Sequence, residues 1–550
     1  MDDIDSLLDS LIDRRKAAEV PPLDDKYAGT LEVKEILSKG QGVCTKQSIS
    51  VNDPICSLSY PTMMAIDSEN LPTTCYHCLV VTSSQLPLPG YGHASIELKT
   101  CNGCHSARFC GRTCQVKSWH AYHKYECKIF KKMQHNLPPA VLRAVLRTVL
   151  LKDRDMLSDE EWNRINAMAS HEETLTARGR SNLTDMAEGI KMFAGSSMSV
   201  DKIQRLIFIM RANACELPTP VYGGIGVMLD PLVAKINHDC EPNLAIHRPQ
   251  HTMTTGWMES EQLSEDERKT FVQLIPLRDI QAGEELLNCY VVPTVSVKAR
   301  KAKLMEEYLF DCNCHKCQSD TKAIADLASE HPNLPTRFEQ WTKDVQRHIS
   351  RIKPKSSELQ KATAAMNKSE QFLDYPVLYT SGDFPEMAMA LVLEGLKAQA
   401  YGEALVNALR IYFLVNPQRF NSRHNPTNTY TIFLLLDIFD ALLGTSTPPG
   451  TTNDKVVERI RHASTLGFSK SGLTCWRDRI CADLRRRLEG TAAKDLLVLV
   501  EKREKQVEQL NSKKEDVSGE ELRKAAEEEM RVALKLSDHK WKTVLQESGC

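Results

Sequence analysis

Residues 237–243 read Asn-His-Asp-Cys-Glu-Pro-Asn, and the interpretation of the whole chain depends on this stretch. Amides, an imidazole and a thiol do not make an apolar core, and Pro242 excludes an uninterrupted helix. A polar surface turn explains the stretch equally well when it is taken alone, because Asn, Asp and Pro are common turn residues. The choice between a turn and a functional site therefore depends on segments elsewhere in the chain.

The composition is that of an ordinary globular protein. A chain of 550 residues with 42% hydrophobic and 26% charged residues predicts two to four domains. The net charge of -2 gives no global basis for binding nucleic acid or a membrane. No apolar run approaches the roughly 20 residues that span a bilayer. The acidic start lacks the basic region of a signal peptide, so we expect a cytoplasmic and/or nuclear protein.

Ten of the 18 cysteines fall in short clusters, which in a reducing compartment indicate metal sites. The first block consists of four ligand pairs, namely Cys75 and Cys78, Cys101 and Cys104, Cys110 and Cys114, and His123 and Cys127. Eight soft ligands supply two closed tetrahedral zinc sites, and such sites are structural. Metal binding is expected to supply much of the folding energy of so short and polar a block. A second block, Cys312, Cys314 and Cys317, leaves a third zinc ion one ligand short.

Other segments predict the surrounding elements. Residues 31–36 alternate like a strand, and the glycines of Lys39-Gly40-Gln41-Gly42 fit either a hairpin turn or close approach of a backbone to a ligand. Apolar residues recur at helical spacing between 128 and 212 and again beyond 318. Charge dominates residues 501–516, and we expect the tail to form a solvated helix; the alternative is an arm that binds a partner. A basic strip after the zinc block predicts a solvated face with weak nucleic-acid binding at most; the strip consists of His120, Lys124, Lys128, Lys131 and Lys132.

Residues 237–243 resemble the Asn-His-Ser-Cys-x-Pro-Asn signature of SET-domain lysine methyltransferases, with Asp239 where serine is usual. Residues 75–127 resemble the MYND zinc module, and the Gly-Glu-Glu of residues 283–285 followed by Tyr290 is typical of SET domains. The resemblance covers residues 28–317 with specific motifs and the rest only loosely. It implies that the first and third ligand pairs bind one zinc and the second and fourth another. It also implies that Cys240 completes the third site.

The resemblance also implies a binding site for S-adenosylmethionine and a channel for the target lysine. Tyr290 and Tyr308 would line the channel as catalytic residues. The cofactor-binding residues would be Lys39, Gly40, Gly42, Asn213, Asn237, His238, Tyr290 and Phe310.

The predicted fold class is α+β, with a β-rich SET domain split by the MYND module and a helical insert, a zinc cap after it, and an α-helical C-terminal domain similar to tetratricopeptide hairpins. The predicted function is S-adenosylmethionine-dependent methylation of protein lysines, histone or non-histone. The alternative is a catalytically weak scaffold whose MYND module recruits proline-rich partners in transcriptional regulation. The predicted segments are a lead-in (1–27), two SET parts (28–74 and 213–300), the MYND module (75–127), the helical insert (128–212), the cap (301–320), the helical domain (321–500) and the charged tail (501–550).

Overall fold

A computed structural model describes most of the chain. The described residues are 25–37, 39–59, 61, 63–82, 96–133, 136–172, 182–219, 224–249, 270–291, 296–353, 357–380, 383–419, 422, 425–445, 453–510 and 519–548. Most of the predicted lead-in, the central part of the segment between Cys78 and Cys101, and the acidic segment 259–267 lie outside the described residues.

The strands are short and belong to small sheets. They are β1 Leu31–Ile36, β2 Gly40–Thr45, β3 Cys56–Leu58, β4 Met63–Ile66, β5 Lys99–Thr100, β6 Arg108–Phe109, β7 Cys215–Pro218, β8 Gly224–Leu229, β9 Asn237–His238, β10 Leu244–His247, β11 Val272–Pro276 and β12 Leu287–Asn288. Antiparallel pairing joins β1 to β2, β5 to β6, β4 to β8, β8 to β7, β10 to β11, and β11 to β3. Strands from before residue 75 thus pair with strands from after residue 212.

The stretch 237–243 is fixed by its pairing with the segment that carries Gly-Glu-Glu. β9 and β12 pair in parallel, with Asn237 opposite Leu287 and His238 opposite Asn288. The side chain of Asn243 is fully buried, and its amide donates to the carbonyl of Glu285 at 2.8 Å and accepts from the amide of Leu287 at 2.8 Å. β12 ends at Asn288, and Tyr290 follows the strand by two residues.

Helices account for more of the described chain than strands, which confirms the predicted mixture. Those before residue 214 are α1 Asp25–Ala28, α2 Arg112–Ser118, α3 Lys124–Met133, α4 Ala140–Lys152, α5 Asp159–Asn166, α6 Asn182–Ala194 and α7 Val200–Asn213. A π-helix, Trp119–His123, connects α2 to α3, and a short 3-10 helix, Val233–Lys235, precedes β9. The apolar spacing that predicts helices within 128–212 is found in α4 and α7, whose inward faces are buried.

The C-terminal region is helical, as predicted. Its helices are α8 Val297–Glu307, α9 His315–Glu330, α10 Leu334–Ile349, α11 Glu358–Met366, α12 Pro376–Thr380, α13 Phe384–Lys397, α14 Tyr401–Arg410, α15 Asn416–Arg419, α16 Pro426–Leu443, α17 Asn453–Thr465, α18 Lys470–Leu488, α19 Lys494–Leu510, α20 Gly519–Leu534 and α21 Asp538–Ser548. Their core is continuous with one face of β10 and β11, because Ala245, Ile275 and Leu277 pack in the same buried cluster. The hydroxyl of Ser422 donates to the carbonyl of Leu277 at 2.7 Å across this contact.

The prediction of a solvated charged tail is wrong. Met530, Trp541 and Val544 are buried, and the Trp541 ring lies 5.4 Å from that of Phe413. The indole of Trp476 donates to the carbonyl of Ala526 at 2.8 Å. One apolar face of α20 and α21 therefore completes the C-terminal core, and their charges lie on the other face.

Several predicted segment boundaries lie within helices. The boundaries at 127/128, 212/213, 300/301, 320/321 and 500/501 each fall inside a continuous helix. Because a helix transmits position rigidly, the neighbouring segments are not separated by linkers at these points. Among the described residues no helix is long and apolar enough to cross a membrane.

Candidate functional site

The four ligand pairs of residues 75–127 form two separate groups, and the pairs interleave. Cys75 and Cys78 meet Cys110 and Cys114, while Cys101 and Cys104 meet His123 and Cys127. In the first group, which we call the first zinc site, the Sγ atoms of Cys78 and Cys110 are 3.6 Å apart. In the second zinc site, the Nε2 atom of His123 lies 3.5 Å from the Sγ of Cys101 and 3.7 Å from that of Cys104.

A third group joins residues 237–243, which we call the opening stretch, to the cysteines beyond residue 311. Cys240 meets Cys312, Cys314 and Cys317, and the Sγ atoms of Cys240 and Cys317 are 3.6 Å apart. We call this group the third zinc site. Residues 240 and 317 are far apart in sequence, so this group holds α9 against the loop that follows β9.

The spacing of the ligand atoms fits zinc in all three groups. Four thiolates about 2.3 Å from a tetrahedral zinc ion lie about 3.8 Å from one another. The separations of 3.4 to 3.8 Å between sulfur atoms agree with this geometry. The number of sites is therefore the three that the sequence predicts, and each has four protein ligands, as structural zinc requires.

A polar cluster joins residues 39–42, which we call the glycine turn, to the opening stretch. The amide of Asn237 donates to the Oε1 atom of Glu285 at 2.8 Å and to the carbonyl of Gln41 at 3.0 Å. The ammonium of Lys39 binds the other carboxylate oxygen of Glu285 at 2.9 Å. Glu285 thus holds the turn and the stretch together. It belongs to the Gly-Glu-Glu motif, but the motif alone predicts no role for its carboxylate.

Gly40 and Gly42 are each required in the turn, but for different structural reasons. Gly40 has a φ of +76°, a conformation that other residues adopt only under strain. A Cβ atom on Gly42 would lie 2.7 Å from the Oε1 of Glu285 and 2.8 Å from the Nδ2 of Asn237. The close approach that the sequence predicts at Gly42 is thus to side chains of the protein itself.

Aromatic side chains surround His238 on the other side of the stretch. The ring centroids of Tyr290 and Tyr308 are 4.8 Å apart, and that of His238 lies 5.3 Å from that of Tyr290 and 5.8 Å from that of Phe310. The hydroxyl of Tyr290 donates to the carbonyl of Ile236 at 2.6 Å. These aromatic residues pack against the third zinc site.

His238 links the aromatic cluster to the third zinc site. Its Nδ1 atom accepts the backbone N–H of Tyr290 at 3.0 Å, so Nε2 carries the hydrogen and faces the Sγ of Cys240 at 3.3 Å. Burial lowers the pKa of His238 to about 4, which agrees with a neutral ring. Burial also raises the pKa of Asp239 to about 6, and the carboxylate of Asp239 accepts the amide of Glu241 at 2.8 Å.

The tyrosine hydroxyls stay protonated at neutral pH. Burial raises the pKa of Tyr308 to about 12 and raises that of Tyr290 further. Both groups are therefore hydrogen-bond donors and acceptors rather than bases under physiological conditions.

Asn213 is the predicted site residue that the structure does not join to this cluster. It is the last residue of α7, and its amide donates to the carbonyls of Ala169 and Ile209 at 2.7 Å each. These bonds fix the end of the helix locally.

The chain is similar in sequence to a known zinc-finger family and to several known proteins. The MYND finger family model matches residues 75–127. The SET domain and MYND-type zinc finger protein 6 of Schizosaccharomyces pombe is 25% identical over 265 residues, which are 47% of this chain and 46% of that protein. The histone-lysine N-methyltransferase SMYD3 of Homo sapiens is 25% identical over 266 residues, 46% of this chain and 55% of that protein. The N-lysine methyltransferase SMYD2-A of Xenopus laevis is 21% identical over 327 residues, 56% of this chain and 71% of that protein.

The chain spans about half the length of the first two of these relatives. The finger match covers the first and second zinc sites, and the relatives combine such a finger with a SET domain or are methyltransferases by name. The chain is therefore similar to proteins that combine a SET domain with a MYND finger.

Proposed function

We propose that this protein transfers a methyl group from S-adenosylmethionine to lysine side chains of other proteins, histone or non-histone. The observation that carries the proposal is the aromatic cluster of Tyr290, Tyr308 and Phe310 beside Asn237, which is itself bonded to the glycine turn. The names of the relatives SMYD3 and SMYD2-A, both lysine methyltransferases, support the same reaction.

We infer that residues 28–74 and 213–300 form one SET domain. The pairing of β3 with β11 and of β4 with β8 supports this, because each pair joins a strand from one part to a strand from the other. The zinc finger and the helices of 128–212 would then be insertions, and the third zinc site would close the domain. Beyond residue 320, α13 and α14 resemble a tetratricopeptide hairpin, since only three residues connect them and Gly395 packs against Ala404.

The residues of the polar cluster fit the chemical groups of S-adenosylmethionine. This cofactor supplies an electrophilic methyl group on a positively charged sulfur. Lys39 and Glu285 carry opposite charges side by side, which suits the carboxylate and the ammonium of an amino acid. Asn237 offers an amide beside Glu285, and Phe310 offers an aromatic face for adenine. Lys39, Gly40, Gly42, Asn237, His238, Tyr290 and Phe310 are the residues that we expect to hold it.

Tyr290 and Tyr308 favour the neutral form of the target lysine and orient its nitrogen. A lysine ε-amine has a pKa of about 10.4 in water and must lose its proton before it can attack a methyl group. A channel lined by the half-buried rings of Tyr290 and Tyr308 disfavours the charged ammonium by desolvation. Their protonated hydroxyls and the carbonyl of Ile236 can orient the neutral nitrogen, and the packed rings exclude water.

Calorimetric titration of the zinc-loaded protein with S-adenosylmethionine tests the proposal. We expect saturable binding that Asn237→Ala weakens and that Tyr290→Phe largely leaves intact, because the side chain of Asn237, unlike that of Tyr290, bonds both the turn and Glu285. Asn163→Ala, at an exposed position of α5, is the matched control and should bind like the wild type. Failure of the folded protein with three zinc ions to bind S-adenosylmethionine would refute the proposal and favour the scaffold that recruits proline-rich partners.

A further inference from the structure

A buried polar cluster lies where the zinc finger packs on α4. It consists of Tyr76, His123, Glu126 and Arg147, and each side chain is at most 5% exposed. The Nε atom of Arg147 donates to the Oε1 of Glu126 at 2.6 Å, and the hydroxyl of Tyr76 donates to the Oε2 at 2.9 Å. The second guanidinium nitrogen of Arg147 donates to the Tyr76 oxygen at 2.7 Å. A carboxylate so deeply buried requires partners of this kind.

Arg147 connects this cluster to the sheet outside the finger. Its Nη1 atom donates to the carbonyl of Met64 in β4 at 2.9 Å, and its guanidinium lies 3.9 Å from the centre of the Tyr122 ring. Arg147 therefore contacts the finger on one side and β4 on the other. The position of Glu126 therefore depends on Arg147, which lies outside the finger, as well as on Tyr76 within it.

His123 presents its two ring nitrogens to different groups. Nε2 faces the sulfurs of the second zinc site, whereas Nδ1 is buried and has no hydrogen-bond partner. The Oε2 atom of Glu126 is 3.9 Å from Nδ1. When Nε2 binds zinc, Nδ1 carries a hydrogen, and zinc-bound histidines almost always donate this hydrogen to a carboxylate, a carbonyl or water.

We propose that Glu126 and Arg147 are positioning residues for the second zinc site. When zinc binds Nε2, a shift of about 1 Å brings Glu126 within hydrogen-bond distance of the Nδ1–H of His123. Glu126 then holds the ring with Nε2 toward the metal, and Arg147 anchors Glu126 to β4. Retention of zinc by the finger then depends on its packing against the sheet. This inference does not depend on methyl transfer.

The decisive experiment compares the full zinc-loaded chain with its Glu126→Gln variant, which keeps the size of the side chain and removes its charge. Both proteins are challenged with increasing chelator, and cysteine alkylation is mapped by mass spectrometry. We expect zinc affinity at the second site to fall by roughly 10- to 100-fold. Cys101, Cys104 and Cys127 should then be alkylated at lower chelator concentrations, and the cysteines of the first and third sites should be unchanged.

Controls separate positioning from general destabilisation. Glu160→Gln removes a carboxylate that pairs with Arg164 on the surface, and it should leave all three sites intact. Tyr76→Phe removes one of the hydrogen bonds to Glu126 and should expose the same three cysteines to a smaller degree. If Glu126→Gln does not fold, Tyr76→Phe decides by the same criterion. Equal loss from the first and second sites, or no loss from the second, would overturn the inference.

Cobalt substitution adds a spectroscopic test. Loss of the carboxylate should change the absorption bands of the site that contains His123, because the orientation of the ring determines the metal–nitrogen bond. Glu160→Gln should leave the spectrum unchanged. An unchanged spectrum in Glu126→Gln would also contradict the positioning role.

Discussion

The substitution Gly42→Ala tests whether the junction of the glycine turn and the opening stretch is the binding site. The added Cβ would lie 2.7 Å from the Oε1 of Glu285, 2.7 Å from the Cγ1 of Ile36 and 2.8 Å from the Nδ2 of Asn237. All three are side-chain atoms that can move, so we expect the free energy of unfolding to fall by only about 1–3 kcal/mol, as is typical of overpacking.

The effect on the cofactor should be larger than the effect on stability. The shift separates Glu285 from Asn237, which are 2.8 Å apart in the wild type, and it also disturbs Lys39. Losing one hydrogen bond to a charged group costs about 1.5–3 kcal/mol, which corresponds to roughly 10- to 100-fold in the Kd for S-adenosylmethionine. Isothermal calorimetry and chemical denaturation measure the two quantities separately.

Gly189→Ala is the matched control. Gly189 lies inside α6 with no atom within 4 Å of the added Cβ, so the substitution should stabilise the protein by about 0.5–1 kcal/mol and leave cofactor binding unchanged. The reasoning would be refuted if Gly42→Ala bound S-adenosylmethionine with wild-type affinity while Asn237 and Glu285 had moved apart.

The third zinc site, the tyrosine hydroxyls and the buried face of the tail can each be tested separately. Cys240→Ser should reduce the zinc content from three ions to two by native mass spectrometry, since serine is a poor zinc ligand and the third site has no other fourth ligand among the described residues. The methyl-transfer rate should rise from pH 7 to 9, because the target lysine loses its proton as the pH rises. Burial raises the pKa values of Tyr290 and Tyr308, so both hydroxyls stay protonated and should not lower the rate in this range. Trp541→Ala should lower the free energy of unfolding by about 3–5 kcal/mol, as expected for a buried tryptophan, whereas Val532→Ala at an exposed position should change it little in chemical denaturation.

Retention of three zinc ions by Cys240→Ser, with Cys475→Ser as the control, would exclude Cys240 as a ligand. A rate that falls below pH 9 while the protein stays folded would mean that a group other than the target lysine controls the reaction. An unchanged stability of Trp541→Ala would show that the tail is solvated, as its charge suggests.

The zinc sites were the easiest part to predict, because pairs of cysteines separated by two or three residues are typical of zinc ligands. Spacing alone did not reveal which pairs share a metal, or that Cys240 joins a cluster more than 70 residues away; the family resemblance supplied both. The pairing of β1 with β2 could be predicted from the alternation of apolar and polar residues and from the glycines of the turn, because both signals depend only on residues close in sequence.

The roles of Glu285 and Arg147 could not be predicted in the same way. Glu285 bonds residues 39 and 237, and Arg147 bonds residues 64, 76 and 126, so each role exists only after distant segments meet. The tail is a different case. Ala526, Met530 and Leu534 recur every four residues and predict a buried helical face, but the many charged residues around them obscure this pattern in the sequence.

The proposed reaction is methyl transfer from S-adenosylmethionine to protein lysines in the channel lined by Tyr290 and Tyr308. The most direct measurement incubates the zinc-loaded protein with methyl-labelled S-adenosylmethionine and a mixture of cellular proteins, followed by amino-acid analysis of the label. We predict label in ε-N-methyllysine with the wild type and strong loss of label with Tyr290→Phe, whose cofactor binding is retained. Absence of labelled methyllysine with a folded, cofactor-binding protein across such a mixture, or equal labelling by Tyr290→Phe, would contradict the account.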